Sequence, residues 1–361
     1  MASSFSLNSN LTVPEIFRQR NVQSLDGLRA IAITLVIIHH ITFALNYPSF
    51  LYAAAKYLEL GNSGVQLFFV ISGFLLTGLL LKEKTETGRI RIKRFYLKRL
   101  LKICPIYFAY ILVVLIFKVI GISKIARKDF LSPVFFVSNL ISSRSWMLAH
   151  TWTLSVEVQF YLCLPLIFAF LPRNYIFLVA AILFYDLFYY VLRLYPMLFV
   201  FRGLFLALPP VIFGSMLSIA LYKNWLKRIH SVLMHPIFAC SLIIALVIFF
   251  PRLYHPARFL RVPYDYIISS LLMTVFLYYA VHCSTSNLVY RILNNQLIVY
   301  IGLMSYSIYM WQQLFFTPKS YYAVYPSWTV FPLNVILALA MAFLSYNFIE
   351  KPFLRLKAKL K

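Results

Sequence analysis

Residues 24–40 read SLDGLRAIAITLVIIHH. Asp26 and Arg29 stand at one end of this apolar run, and His39 and His40 at the other. Ionisable side chains inside such a run are costly and mark a paired or functional site. Read as a helix, Arg29 and His40 are separated by about 1100° of rotation, or about three full turns. They therefore share a face, roughly 16 Å apart along the axis. Asp26 lies about 40° from that face, and His39 about 80° from it. The segment thus carries one polar stripe, with a cation near its start and an ionisable base near its far end.

Around this stretch the chain is apolar almost throughout. Its 361 residues are 62% hydrophobic and 12% charged, against about 45–50% and about 25% for soluble proteins. The fold class that follows is all-α, a polytopic integral membrane bundle of about ten transmembrane helices. The spans are expected near 28–45, 64–82, 103–121, 154–171, 174–192, 200–221, 233–250, 264–282, 297–316 and 328–349. Leu171 to Asn174 reads as a tight hairpin between the fourth and fifth. A single domain over 1–361 is expected, with a cytoplasmic N-terminus at 1–27 and a basic cytoplasmic tail at 350–361.

The net charge of +24 does not point to nucleic acid, because the cations sit in short loops between apolar runs. Lys and Arg number 21 on the side of the termini and 11 on the other. The positive-inside rule then puts both termini in the cytoplasm. Residues 82–102, KEKTETGRIRIKRFYLKRLLK, hold nine cations and read as a basic amphipathic helix on the membrane surface, either a topology anchor attracted to anionic lipids or a surface for an anionic ligand. Cys104, Cys163, Cys240 and Cys283 stand singly, without CxxC or metal spacing, so neither a disulfide framework nor a metal site is expected.

Four blocks carry a resemblance: SLDGLRAIAITLVIIHH at 24–40, GVQLFFVISGFLLT at 64–77, TWTLSVEVQFYLCLP at 151–165 and IGLMSYSIYMWQ at 301–312. Together they resemble the acyltransferase-3 family of integral membrane acyltransferases, which O-acylate extracytoplasmic glycans in bacteria. The blocks follow the family's order and spacing over nearly the whole chain. The family's basic residue, ten intervening residues and histidine fall on Arg29 and His40. Its two-arginine motif after the second span falls on Arg99 and Lys102, so lysine replaces the second arginine. The glutamate of its WxLSxE block is Glu157. Where the family often has histidine after tryptophan in the SYSxYxW block, this chain has Gln312, which can hydrogen-bond but not transfer a proton.

The resemblance implies an O-acyltransferase moving an acyl group, acetyl foremost, from cytoplasmic acetyl-CoA or another short acyl-CoA to a glycan or lipid-linked glycan hydroxyl, such as lipopolysaccharide O-antigen or exopolysaccharide. It implies a bacterial inner membrane, with membrane lipids as surroundings. Arg29, Arg94, Arg99 and Lys102 are then candidates for the phosphates of the acyl donor. His40 is the catalytic candidate, because a neutral imidazole can deprotonate a sugar hydroxyl or attack the thioester. Glu157 and His150 are the other catalytic candidates, one orienting His40 or binding acceptor, the other on the side where an acceptor arrives. Each has a structural reading beside the functional one: an ion pair for Glu157 and helix packing for His40 and His150. Asp26 reads as a cap of the first span and a partner of Arg29, and His39 as a packing residue. Ser72 and Gly73 read as close-packing positions that leave room for a ligand. Tyr306, Tyr309 and Gln312 fall at i, i+3 and i+6 on one helix face, lining a cavity or packing. A proton-coupled transporter or flippase of a glycan or lipid is the competing class, since intramembrane Arg, His and Glu also mark transport. It would show repeated halves with broken helices, and none is legible here.

Overall fold

Helix α1, Gln23–Ile41, is the element around which the others are arranged. A computed structural model of the chain describes residues 12–19, 21–43, 47–50, 52, 55, 60–141, 145–170, 202–238, 241–242, 264–323 and 326–360. The expected span at 174–192 and the hairpin at 171–174 lie outside the described residues, and of the span at 233–250 only 233–238 and 241–242 are described.

The long helices that follow are α2, Leu60–Thr87, α3, Ile92–Val119, α4, Thr151–Phe170, α5, Arg202–Tyr222, and α6, Tyr264–His282. The C-terminal part adds α7, Gln296–Leu303, α8, Ser305–Phe315, α9, Leu333–Ser345, and α10, Lys351–Lys359. Among the described residues, five helices are long and apolar enough to cross a membrane, or six if a bent pair at Leu206–Tyr222 and Lys227–Leu233 counts as one span. The architecture is an all-α membrane bundle.

Without water inside a bilayer, helices associate through close backbone approach and polar side chains. Both devices join α2 to α5. A Cβ on Gly73 would collide with the backbone carbonyl of Val211, and one on Gly214 with that of Val70. Beside this contact Ser215 Oγ donates to Gly73 O at 3.3 Å and Tyr222 OH to Gly78 O at 3.0 Å. Gln66 Nε2 donates to Ser269 Oγ and Ser270 Oγ at 2.7 and 2.8 Å, tying α2 to α6. Gly73 therefore serves helix approach, and the space for a ligand opens beside its neighbour Ser72.

Three boundaries differ from the sequence reading. The basic run 82–102 is not one surface helix. It is the end of α2, a turn at Gly88 with φ of +72°, and the first turns of α3. Glycine takes that left-handed conformation without strain and ends helices there. The ninth span breaks at Met304 into α7 and α8. At the end of α7, Gly302 lets the backbone of Asp26 come so close that any side chain would overlap it. Last, the helical course continues past the end of the tenth expected span at 349. A π-helical segment, Tyr346–Glu350, joins α9 to α10, and the helix continues to Lys359. Pro352 falls in the first turn of α10, where a missing N–H is tolerated.

Candidate functional site

α1 is buried along the face that carries Asp26, and Asp26 itself is 2% exposed. Arg29 Nη1 donates to Asp26 Oδ1 at 2.6 Å, one helical turn away. The rest of the guanidinium faces a cavity of about 100 Å³, and the other polar groups on its wall are Ser72, Lys102, Thr153, Glu157, Tyr161, Ser305, Tyr306 and Tyr309. Space of that size takes several waters or a short acyl group. α1, α2, α3, α4 and α8 each send side chains to it, so the cavity lies within the bundle.

Glu157 is held from two sides. Ser72 Oγ donates to its Oε1 at 2.8 Å, and Tyr161 OH donates to the same oxygen in a very short hydrogen bond. The Ser72 hydroxyl is thus committed as a donor to a carboxylate, which suits positioning rather than nucleophilic attack. Lys102 lies within electrostatic reach of Arg29, Arg99, Glu157 and Glu350. Tyr306 OH donates to Ile103 O at 2.7 Å, fixing α8 against α3.

His40 is not on the wall of this cavity. It sits three turns along α1, with Nδ1 2.8 Å from Gln312 Oε1. An amide oxygen only accepts, so Nδ1 carries the proton and the lone pair is on Nε2. That is the tautomer of a base whose free nitrogen faces away from its anchor. Gln312 is buried, its Nε2 reaching Gln313 Oε1 at 3.3 Å, and Gln313 in turn donates to Trp146 O at 2.8 Å. The ring of Trp146 is 5.8 Å from that of His40 and 4.4 Å from that of Phe43. Tyr309, one turn before Gln312, links the two regions: it lines the cavity, and its hydroxyl lies 2.7 Å from Thr153 Oγ1 and 3.1 Å from His150 O.

The other residues singled out in the sequence fall as follows. His150 is buried, its ring edge-on between Tyr110 and Tyr309 at 5.0 and 5.5 Å, with both ring nitrogens unpartnered. His39 packs on Gly61 of α2 and beside Phe43, its Nδ1 without a partner. Arg99 lies over the rings of Phe95 and Tyr161 at 5.1 and 5.2 Å, behind the tyrosine that holds Glu157. Arg94 is apart from the cavity, near Glu83 Oε1 at 3.5 Å and Leu360 O at 3.3 Å. Gly73 supports α5, as described.

Sequence reasoning missed Glu350, 4% exposed, which accepts from Ser307 Oγ at 2.8 Å and lies within reach of Lys102, Arg29 and Lys357. The available signal was a carboxylate directly after an apolar run, in NFIEKPF at 347–353. It also missed Tyr161, Gln313 and Lys357.

Gln312 is expected to act through His40. Gln312→Leu removes the acceptor that fixes the imidazole, and loss of such orienting partners typically costs about 10–100-fold. Acyl transfer measured on purified protein should show a fall of that size in kcat with KM nearly unchanged. Gln312→Glu keeps the acceptor and should recover most of the rate. Equal losses in both variants would mean a packing role only.

A family model for an acyltransferase domain matches residues 22–347. The O-acetyltransferase OatA of Staphylococcus aureus strain NCTC 8325 is 30% identical over 370 residues, covering 94% of this chain and 58% of that protein. A protein named as a candidate O-acetyltransferase in S. aureus strain COL is 30% identical over 367 residues, with 93% and 58% covered. The chain therefore spans a little over half the length of these relatives. No solved structure matches the chain.

Proposed function

Because the chain belongs to the acyltransferase-3 family, we propose that it is a membrane-embedded O-acyltransferase taking a short acyl group, acetyl foremost, from acyl-CoA. The acceptor is a hydroxyl of an extracytoplasmic or lipid-linked glycan, such as lipopolysaccharide O-antigen or exopolysaccharide. The membrane is the bacterial inner membrane, with both termini in the cytoplasm. The observation that carries this reading is the set of polar groups around α1: Arg29, Lys102, Tyr309 and Thr153 on a cavity within the bundle, and His40, three turns further along α1, held by Gln312 with its Nε2 free.

In this reading Arg29, Arg99 and Lys102 hold the donor phosphates, as guanidinium and ammonium groups do. The long pantetheine arm runs along α1 toward His40. His40 Nε2 takes the proton of the acceptor hydroxyl as its oxygen attacks the thioester carbonyl. The C–S bond breaks, and CoA leaves as the thiol with that proton. Gln312 holds the imidazole in the required tautomer, and Glu157, fixed by Ser72 and Tyr161, balances the cations when no donor is bound. The names of the S. aureus relatives support acetyl as the acyl group.

Expression in a strain lacking the gene tests the reading. Mass spectrometry of surface glycans should show added acetyl mass, 42 Da for each of roughly one or more hydroxyls, consistent with one acetyl replacing one proton. Unchanged glycan masses in cells that hold the protein in the membrane would contradict it.

A further inference from the structure

The helix at the C-terminal end returns to the cationic side of the cavity. α10 packs along α3, the helix that carries Lys98, Arg99 and Lys102. Glu350 and Lys357 are seven residues apart, two turns on one helix face. Glu350 is buried against Ser307 of α8. Lys357 is half-buried and lies within electrostatic reach of Lys102, Arg99, Arg29 and Lys98. Lys357 of α10 is therefore set by the packing of α10 on α3 within the electrostatic reach of four cations of α1 and α3.

Three carboxylates are near, two fewer than the cations. Asp26 is paired with Arg29, Glu157 accepts from Ser72 and Tyr161, and Glu350 accepts from Ser307. Lys98 also faces Arg94, Arg91 and Glu83, and Glu83 is the partner of Arg94. Among the described residues, the ion pairs are Arg29–Asp26, Lys82–Glu86 and Arg94–Glu83, so neither Lys102 nor Lys357 has one. Like charges gathered in a half-buried space repel one another, more strongly than in water. The arrangement is relieved by a ligand carrying several negative charges, and phosphate suits both lysine and arginine.

We propose that α10 forms one wall of a phosphate-binding site and that Lys357 is one of its ligands, beside Lys102 and Arg29. The inference rests on the acyl-CoA reading above in taking the donor's phosphates as the occupant. The same chemistry would suit an anionic phospholipid headgroup, so the test separates the two.

The full chain is placed in nanodiscs of phosphatidylcholine alone, and CoA is titrated by calorimetry. Lys357→Ala should bind CoA about tenfold more weakly or worse, the scale of one lost charge-assisted contact. Lys357→Arg keeps the charge and should bind within a few-fold of wild type. Lys351→Ala, on an exposed position of the same helix, should bind as wild type does. Wild type and Lys357→Ala binding CoA equally would overturn the inference while leaving the donor reading intact. Wild type binding no CoA would instead sink the donor reading. In that case nanodiscs doped with phosphatidylglycerol decide the source. Native mass spectrometry showing retained phosphatidylglycerol in wild type and less in Lys357→Ala would support a lipid phosphate at this site, and no difference would overturn the site altogether.

Discussion

His40→Ala is expected to lower acyl transfer at least about a hundredfold, the lower end of what a positioned general base contributes. Its level in the membrane should match wild type. The imidazole makes one side-chain hydrogen bond, to Gln312, and its ring packs beside His39, Phe43 and Trp146. A loss of rate at an unchanged membrane level would therefore come from chemistry and not from lost packing. Nε2 is the free nitrogen, whereas both nitrogens of His150 are buried among aromatic rings. Transfer rate and membrane level, measured together on His40→Ala and wild type, check the expectation. A variant that transfers normally would move the base to His150 or Glu157.

Arg29→Ala is expected to act on folding and function together. Asp26 is 2% exposed, and Arg29 is its ion-pair partner at 2.6 Å, while its Oδ2 has no partner at all. Removing one partner of a buried pair typically costs about 3–5 kcal/mol. Arg29 is partly exposed, so about 3 kcal/mol is the scale to expect here. Asp26→Asn with Arg29→Gln removes both charges and keeps hydrogen bonding, and should restore the folded yield. It should not restore CoA binding, because the cation on the cavity wall is still missing. Thermal stability by fluorescence-detected size exclusion, beside CoA titration, separates the two effects. If the double variant binds CoA as wild type does, Arg29 is structural only.

The sequence made the membrane bundle and the polar face of α1 legible because both are local. Apolar content and 3.6-residue periodicity decide them without knowledge of what packs where. The break at Met304 was not legible. Residues 297–316 carry no proline and no charge to mark a stop, and the close contact beside the break is tertiary, the backbone of Asp26 against Gly302. The helical course of residues 350–359 was not legible for a different reason. Five cations after the last apolar run count as a tail, yet the π segment at Tyr346–Glu350 carries the helix through Pro352 and brings Glu350 back toward the cavity. The basic run at 82–102 misled through Gly88, whose turn splits one apparent amphipathic helix into the ends of two spans. Arg94 and Arg99, neighbours in that run, then part company: one faces Glu83, the other Tyr161. Charge alone does not distinguish them, and the helix partners do.

The most direct test of acyl transfer through this bundle uses the purified chain in proteoliposomes with acetyl-CoA radiolabelled in the acetyl group. A lipid-linked glycan extract serves as acceptor. Label should appear in the glycan with one free CoA thiol for each acetyl transferred, and neither should appear with His40→Ala. Wild-type protein that leaves acetyl-CoA intact while carrying glycan across the bilayer would contradict it and identify a transporter.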